Sequence, residues 1–198
     1  MVRNGSSGGA RARARAAVRL EVAAVAVELV LEQGYEATTV DDICTAAEIS
    51  RSTFFRYFPS KEDALFGASS DAGDRLLDAL TARPDDETPW VAVRRALDPL
   101  IEQYDAGDER VRRLAHLVVT TPALVAHHRE KNARWMQLLL PELARRLGAD
   151  PADAADPRPH AVIASALGCV EAALTAWTAG DHPQTLPALL DRAMRAVG

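Results

Sequence analysis

Eight consecutive residues, Arg51 to Phe58, read RSTFFRYF. They combine two guanidiniums, two aliphatic hydroxyls, three phenylalanines and a tyrosine. An arginine can fork onto O6 and N7 of guanine, and an apolar ring can touch the methyl group of thymine. Hydroxyl groups suit phosphate oxygens. Wound as a helix, the stretch brings Phe54 and Phe58 to one side, four residues apart, packing inward on Ile43 and the first helix of the chain. Ser52, Thr53, Arg56 and Tyr57 then spread over the outer side, and Arg51 and Phe55 share an edge. Such a face fits the major groove of double-stranded DNA. The hydroxyls of Thr39, Thr53 and Tyr57, with Lys61 at a helix N-terminus, add groups for phosphates. The alternative is a solvated helix over a Phe-rich core, and Phe54 and Phe58 belong to that core.

Holding this face outward requires short, firmly ended helices. Thr39 is a good N-cap, with Asp42 three residues on in a capping-box arrangement. Val40, Ile43 and Ala47 give that helix its apolar side. Ser50 caps a second helix, and Ser60 caps a third that runs toward Arg83. Helix, tight turn, helix is a DNA-binding arrangement in which the second helix reads. A longer helix over 12–33 precedes them and stops at Gly34. Val18, Val22, Val25 and Leu29 share one of its faces, and Leu20, Ala24, Val27 and Leu31 the opposite one. Two opposed apolar faces predict a helix sandwiched between two layers. Residues 1–10 are Gly/Ser-rich and expected to be a disordered tail. Arg3, Arg11, Arg13, Arg15 and Arg19 all precede the first acid, Glu21. They form either a solvated tail or an arm that adds phosphate contacts.

The chain as a whole is acidic, with 23 basic and 28 acidic residues and a net charge of −5. A nucleic-acid site must therefore be local. Cys44 and Cys169 lie far apart in predicted helices, neither a disulfide framework nor a metal cluster. No Ser/His/acid order, metal-ligand spacing or phosphate-cradling glycine loop is present, so no enzymatic activity, cofactor or metal is implied. No apolar run approaches a membrane span of ~20 residues. A cytoplasmic location is expected.

The stretch TTVDDICTAAEISRSTFFRYFPSKEDAL, preceded by LVLEQGYEA, resembles the N-terminal helix-turn-helix of TetR-family regulators over about residues 15–66. The resemblance implies that Thr39 and Lys61 contact phosphates. It also implies that Arg51, Ser52, Thr53 and Phe55 face the groove and that Tyr57 sits on the DNA backbone. Glu48 stands where the family has its turn glycine, Phe55 where it has a tyrosine, and Val30 where it has a late aromatic. The segments RRLAHLVVTTPAL, NARWMQLLLPELARRLGADP and EAALTAWTAG resemble the C-terminal domain of the TetR branch that includes regulators beside mycofactocin-type gene clusters. That resemblance implies a homodimer with an inducer site; acyl-CoA-like inducers are known in the branch.

The remaining chain predicts helices over 89–105, 108–120, 122–147, 157–179 and 185–197, with Pro99 and Pro141 kinking or interrupting theirs. In the 157–179 helix, Ile163, Leu167, Val170, Leu174 and Trp177 form an apolar stripe opposite the small residues Ala161, Ser165, Gly168, Ala172 and Ala176. Small residues permit close helix approach. With Leu186, Leu189 and Leu190 of the last helix, they are the candidate dimer interface, set against ordinary packing within one chain. His128, Trp135 and Leu139 on the 122–147 helix, with Glu171, are the candidate effector contacts, since binding pockets are apolar with few polar anchors.

The expected architecture is all-α, with about nine helices. It comprises a tail over 1–10, a three-helix helix-turn-helix domain over 11–66 and a helical effector-binding and dimerisation domain over 67–198. The expected function is a homodimeric, ligand-responsive repressor, bound to a palindromic DNA operator and released by a small, partly apolar effector. A helical small-molecule-binding protein with a weakened DNA head, or an activator, are the alternatives.

Overall fold

In the computed structural model, which describes residues 6–67, 71–104, 109–153, 155–179 and 184–198, eleven helical segments and no strand occur among the described residues. The chain divides into two units, Met1–Ser70 and Asp71–Gly198.

Side-chain caps set the rhythm of the first unit. Helix α1 (Ser6–Gln33) ends at Gly34, whose φ of 92° favours a residue without Cβ. Thr39 caps α2 (Val40–Ala46): Asp42 N–H donates to Thr39 Oγ1 at 3.2 Å, and Thr39 N–H donates back to the Asp42 carboxylate at 2.9 Å. Ser50 accepts from Thr53 N–H at 3.1 Å and starts α3 (Arg51–Tyr57). Ser60 accepts from Asp63 N–H at 3.1 Å and starts α4 (Lys61–Leu65). Val22, Ala23, Ala26 and Val30 of α1 are buried with Ile43, Phe54, Phe58, Ala64 and Leu65.

Three expectations need correction here. Helix α1 is not sandwiched, since Leu20 is 54% exposed and Ala24 is exposed. Its buried residues, Val22, Ala23, Ala26, Val30 and Leu31, fall on one side, where α2 and α4 pack. The single helix expected from Ser60 to Arg83 is two segments, α4 and α5 (Ala72–Thr81), with residues 68–70 outside the described set. Helix α1 also begins at Ser6, inside the segment read as a tail; residues 1–5 lie outside the described set. Alanine and arginine are strong helix formers and carry the helix back toward the N-terminus.

The second unit adds α6 (Pro89–Ala96), α7 (Asp98–Glu102), α8 (Glu109–Thr120), α9 (Pro122–Leu147), α10 (Arg158–Thr178) and α11 (Leu186–Arg195). Pro99 marks the α6–α7 break, as its missing N–H predicts. Pro141 does not interrupt α9. Pro141 and Gln137, the residue whose carbonyl Pro141 cannot bond, are both exposed. Helix α10 packs against α6, α8, α9 and α11. It is long and apolar enough to cross a membrane by length and composition, but Ile163, Ala166, Leu167, Val170, Ala173 and Leu174 lie in the core of this unit.

Two details lock the core. A Cβ at Gly73 would come within 2.8 Å of the Trp135 indole, so only glycine lets α5 lie against that ring. Arg146, almost wholly buried, donates to the carbonyls of Leu80 at 2.8 Å, Arg83 at 2.7 Å and Pro84 at 3.0 Å. It thereby fastens α9 to the C-terminal end of α5, whose last carbonyls have no partner within their own helix.

Candidate nucleic-acid interface

Helix α3 has two chemically distinct sides. Phe54 and Phe58 are fully buried, with ring centroids 5.6 Å apart. Phe58 reaches the small surface of Ala23 and Gly67. Phe55, one residue from Phe54, is 47% exposed and meets the Phe54 ring edge to face at 5.4 Å. Arg51, Ser52 and Arg56 are exposed, while Thr53 and Tyr57 are half-buried. Phe55 thus presents an apolar ring among guanidiniums and hydroxyls.

The charged groups on this side are held in place by neighbours. Arg51 forms an ion pair with Asp41 of α2 and lies 5.6 Å from the Phe55 ring centroid. The Tyr57 ring has two guanidiniums over it, Arg56 at 5.2 Å and Arg15 of α1 at 5.6 Å. Arg19 lies 5.2 Å from the Phe58 ring. Thr39 donates its hydroxyl to Asp42 at 2.7 Å, and the Thr39 hydrogen bonds hold the Asp42 carboxyl below its usual pKa.

Lys61 is the first residue of α4. Its ammonium donates to the carbonyls of Tyr35 at 2.7 Å and Thr38 at 2.9 Å and lies 3.8 Å from the Tyr35 ring centroid. Tyr35 in turn donates to Glu62. Burial and the Glu62 carboxylate push the Tyr35 hydroxyl pKa up. Burial also pushes Glu62 up, but hydrogen bonds from Tyr35 and its own backbone more than offset this and leave its pKa lowered. This group joins the start of α4 to the end of α1.

Sequence reasoning missed Asp41 altogether and left Arg15 and Arg19 between two readings. Arg15 and Arg19 are four apart on α1, a spacing that could have placed both on the face turned toward α3. Nothing in the spacing of Asp41 distinguishes it from an ordinary first-turn acid. Arg3, and the side chain of Arg11, lie outside the described residues.

In the second unit, His128, Trp135 and Leu139 are buried on α9. Burial, with Lys131 and His127 nearby, pushes the His128 pKa down to about 4. Lys131, its pKa lowered to about 8 by burial and Arg134, holds its ammonium 4.1 Å from the Trp135 ring centroid. Glu171 is half-exposed and faces Arg129, the residue after His128, at 3.9 Å.

Along α10, Ala161, Gly168, Ala172 and Ala176 are exposed and Ser165 is half-buried. Nothing lies within 4 Å of a Cβ built at Gly168. Leu186, Leu189 and Leu190 are buried in the core of their own chain. Leu189 also borders a groove of about 290 Å³ that runs between α10 and α11 and is lined by Ala172, Ala176, Ala193 and Ala196.

Comparison with known proteins places this geometry. Residues 23–68 match the family of bacterial regulatory proteins named tetR, and residues 87–198 match the MftR C-terminal domain. The chain is 34% identical over 168 residues to the HTH-type transcriptional regulator TcmR of Streptomyces glaucescens, covering 82% of this chain and 74% of that one. It is 30% identical over 193 residues to the Mycobacterium tuberculosis protein named as a mycofactocin biosynthesis transcriptional regulator, MftR, covering 94% of this chain and 92% of that one. The fold is that of the transcriptional regulator FadR from Bacillus subtilis, solved in complex with stearoyl-CoA, with a TM-score of 0.59, 19% identity and coverage of 89% and 95% of the two chains. The chain is therefore a DNA-binding transcriptional regulator, not an enzyme, and belongs to the TetR family.

Proposed function

We propose that the protein is a homodimeric repressor that leaves a palindromic operator when a small, partly apolar effector binds. The observation that carries the reading is the outer side of α3, where Phe55 is exposed among Arg51, Ser52, Thr53, Arg56 and Tyr57. Arg51 reads a base edge, Phe55 contacts an apolar base group, and Thr39, Tyr57 and the anchored ammonium of Lys61 lie along the backbone. Two subunits present two such helices about one helical turn of DNA apart. The exposed small residues of α10 support a second copy packed on that face, with Leu186, Leu189 and Leu190 stiffening the groove edge from within.

For the effector, His128, Trp135 and Leu139 supply a buried, mainly apolar stretch of α9, and Lys131 and Glu171 supply charge at its border. An effector that favours dimers with another spacing of the reading helices lowers operator affinity by its differential affinity for the two states. The site of action is the cytoplasm.

Selection from a pool of randomised duplexes yields the operator. Arg51→Ala is expected to weaken operator binding by ~1–3 kcal/mol and to relax preference at a single base position. An equal loss on every sequence would make Arg51 a phosphate contact and remove its reading role.

A further inference from the structure

We propose that Asp41 is a positioning residue that sets DNA specificity: its carboxylate holds the Arg51 guanidinium in the pose from which Arg51 reads its base. The inference rests on the reading of Arg51 as a groove contact given above.

Asp41 is the second residue of α2, and Arg51 is the first of α3. Their ion pair bridges the two helices of the motif at the open surface, where the side chains are 66% and 59% exposed. An exposed pair of this kind adds little to folding. Nor does the motif need it. Helix α2 is closed by Thr39 and Asp42, α3 by Ser50, and the interior by Ile43, Phe54 and Phe58.

What the pair changes is the freedom of one long side chain. An arginine loses much rotamer entropy when it is fixed, and an unfixed one loses it on binding. Here two helices fix it in advance. Asp41 takes one end of the guanidinium from α2, and the Phe55 ring lies beside it from α3. Asp41 accepts from Nη1, so the Nε and Nη2 donors of the planar fork remain for an acceptor pair.

The same carboxylate brings a negative charge to a surface that must approach a polyanion. That charge weakens binding to any sequence. The weakening is offset only where Arg51 finds the base it is aimed at. Asp41 thus lowers general affinity while raising discrimination, an opposition that neither a structural acid nor a direct base contact produces. Asp42, its neighbour, is not equivalent, because its carboxylate is taken by the Thr39 N–H and hydroxyl.

The test uses the full chain, its selected operator, the operator altered at the position that Arg51→Ala relaxes, and a random duplex. Affinities are measured for the wild type, Asp41→Asn, Arg51→Ala and the double variant, with thermal melts to establish folding. Asp41→Asn is expected to bind the random duplex more tightly and to narrow the operator-to-altered-operator ratio by roughly two- to fivefold. In the Arg51→Ala background the same substitution should leave that ratio unchanged. Asp41→Glu, which keeps the carboxylate, should recover part of the discrimination. A ratio that Asp41→Asn does not move overturns the proposal, as does an equal change in the Arg51→Ala background. If Arg51→Ala itself leaves all base preferences intact, the groove reading of Arg51 fails first, and the role of Asp41 falls with it.

Discussion

Glu48 carries the only positive φ of a non-glycine among the described residues, 52°. It occupies the turn between α2 and α3, where the Ile49 N–H donates back to the Cys44 carbonyl at 2.9 Å. A side chain in the left-handed region costs roughly 1–2 kcal/mol, and a glycine there returns part of that gain as extra freedom of the unfolded chain. Glu48→Gly should therefore stabilise the protein by up to about 1 kcal/mol and raise the melting temperature by ~2–4 °C. A melting temperature that stays constant or falls would show that the Glu48 side chain returns what its backbone loses. At this scale the sequence was legible where chemistry is local. Thr39, Ser50 and Ser60 announce their caps because each bonds to a backbone N–H three residues on. Asp41 was not legible, because its partner lies ten residues away across a turn whose angle no local pattern encodes.

Elements were legible where apolar positions and end signals agree. Helix α9 spans the predicted residues, Pro122 to Leu147, because its apolar positions and its terminal glycine agree. Helix α1 was misread because two apolar stripes run along it, and periodicity cannot say which one a neighbour will cover. Burial on α9 has a measurable consequence. The folded-state pKa of His128, about 4, is below its ordinary 6.5, so the unfolded chain binds the proton more readily. Stability from this group is therefore complete above about pH 6.5 and is lost as pH falls toward 4. At pH 5 the loss relative to neutral pH is on the order of 2 kcal/mol. His128→Leu should flatten that part of the pH profile, read as the difference in melting temperature between pH 7 and pH 5. Equal drops in variant and wild type would show that the acid sensitivity comes from other groups.

At the scale of the whole molecule, the question is what covers the exposed side of α10. Family membership and fold class were legible in residues 38–65, since order and spacing of caps, aromatics and basic residues survive in the folded unit. The small-residue stripe was visible, but the three leucines of α11 read as its companions face their own core. Sequence shows that a face is apolar and not whether its neighbour belongs to the same chain. Gly168 separates the two cases. A Cβ there meets nothing within 4 Å in its own chain, so a side chain can leave the backbone without a clash and removes a mid-helix glycine worth about 1 kcal/mol relative to alanine. Gly168→Leu should therefore remain helical and melt no lower as an isolated subunit. Against a second copy packed on the stripe, the same leucine is overpacked, typically by 1–3 kcal/mol per subunit. The variant should shift toward monomer in light scattering, and operator affinity should collapse because one subunit reads only a half-site. A variant that stays a tight dimer and binds the operator normally would move the seam off this face of α10.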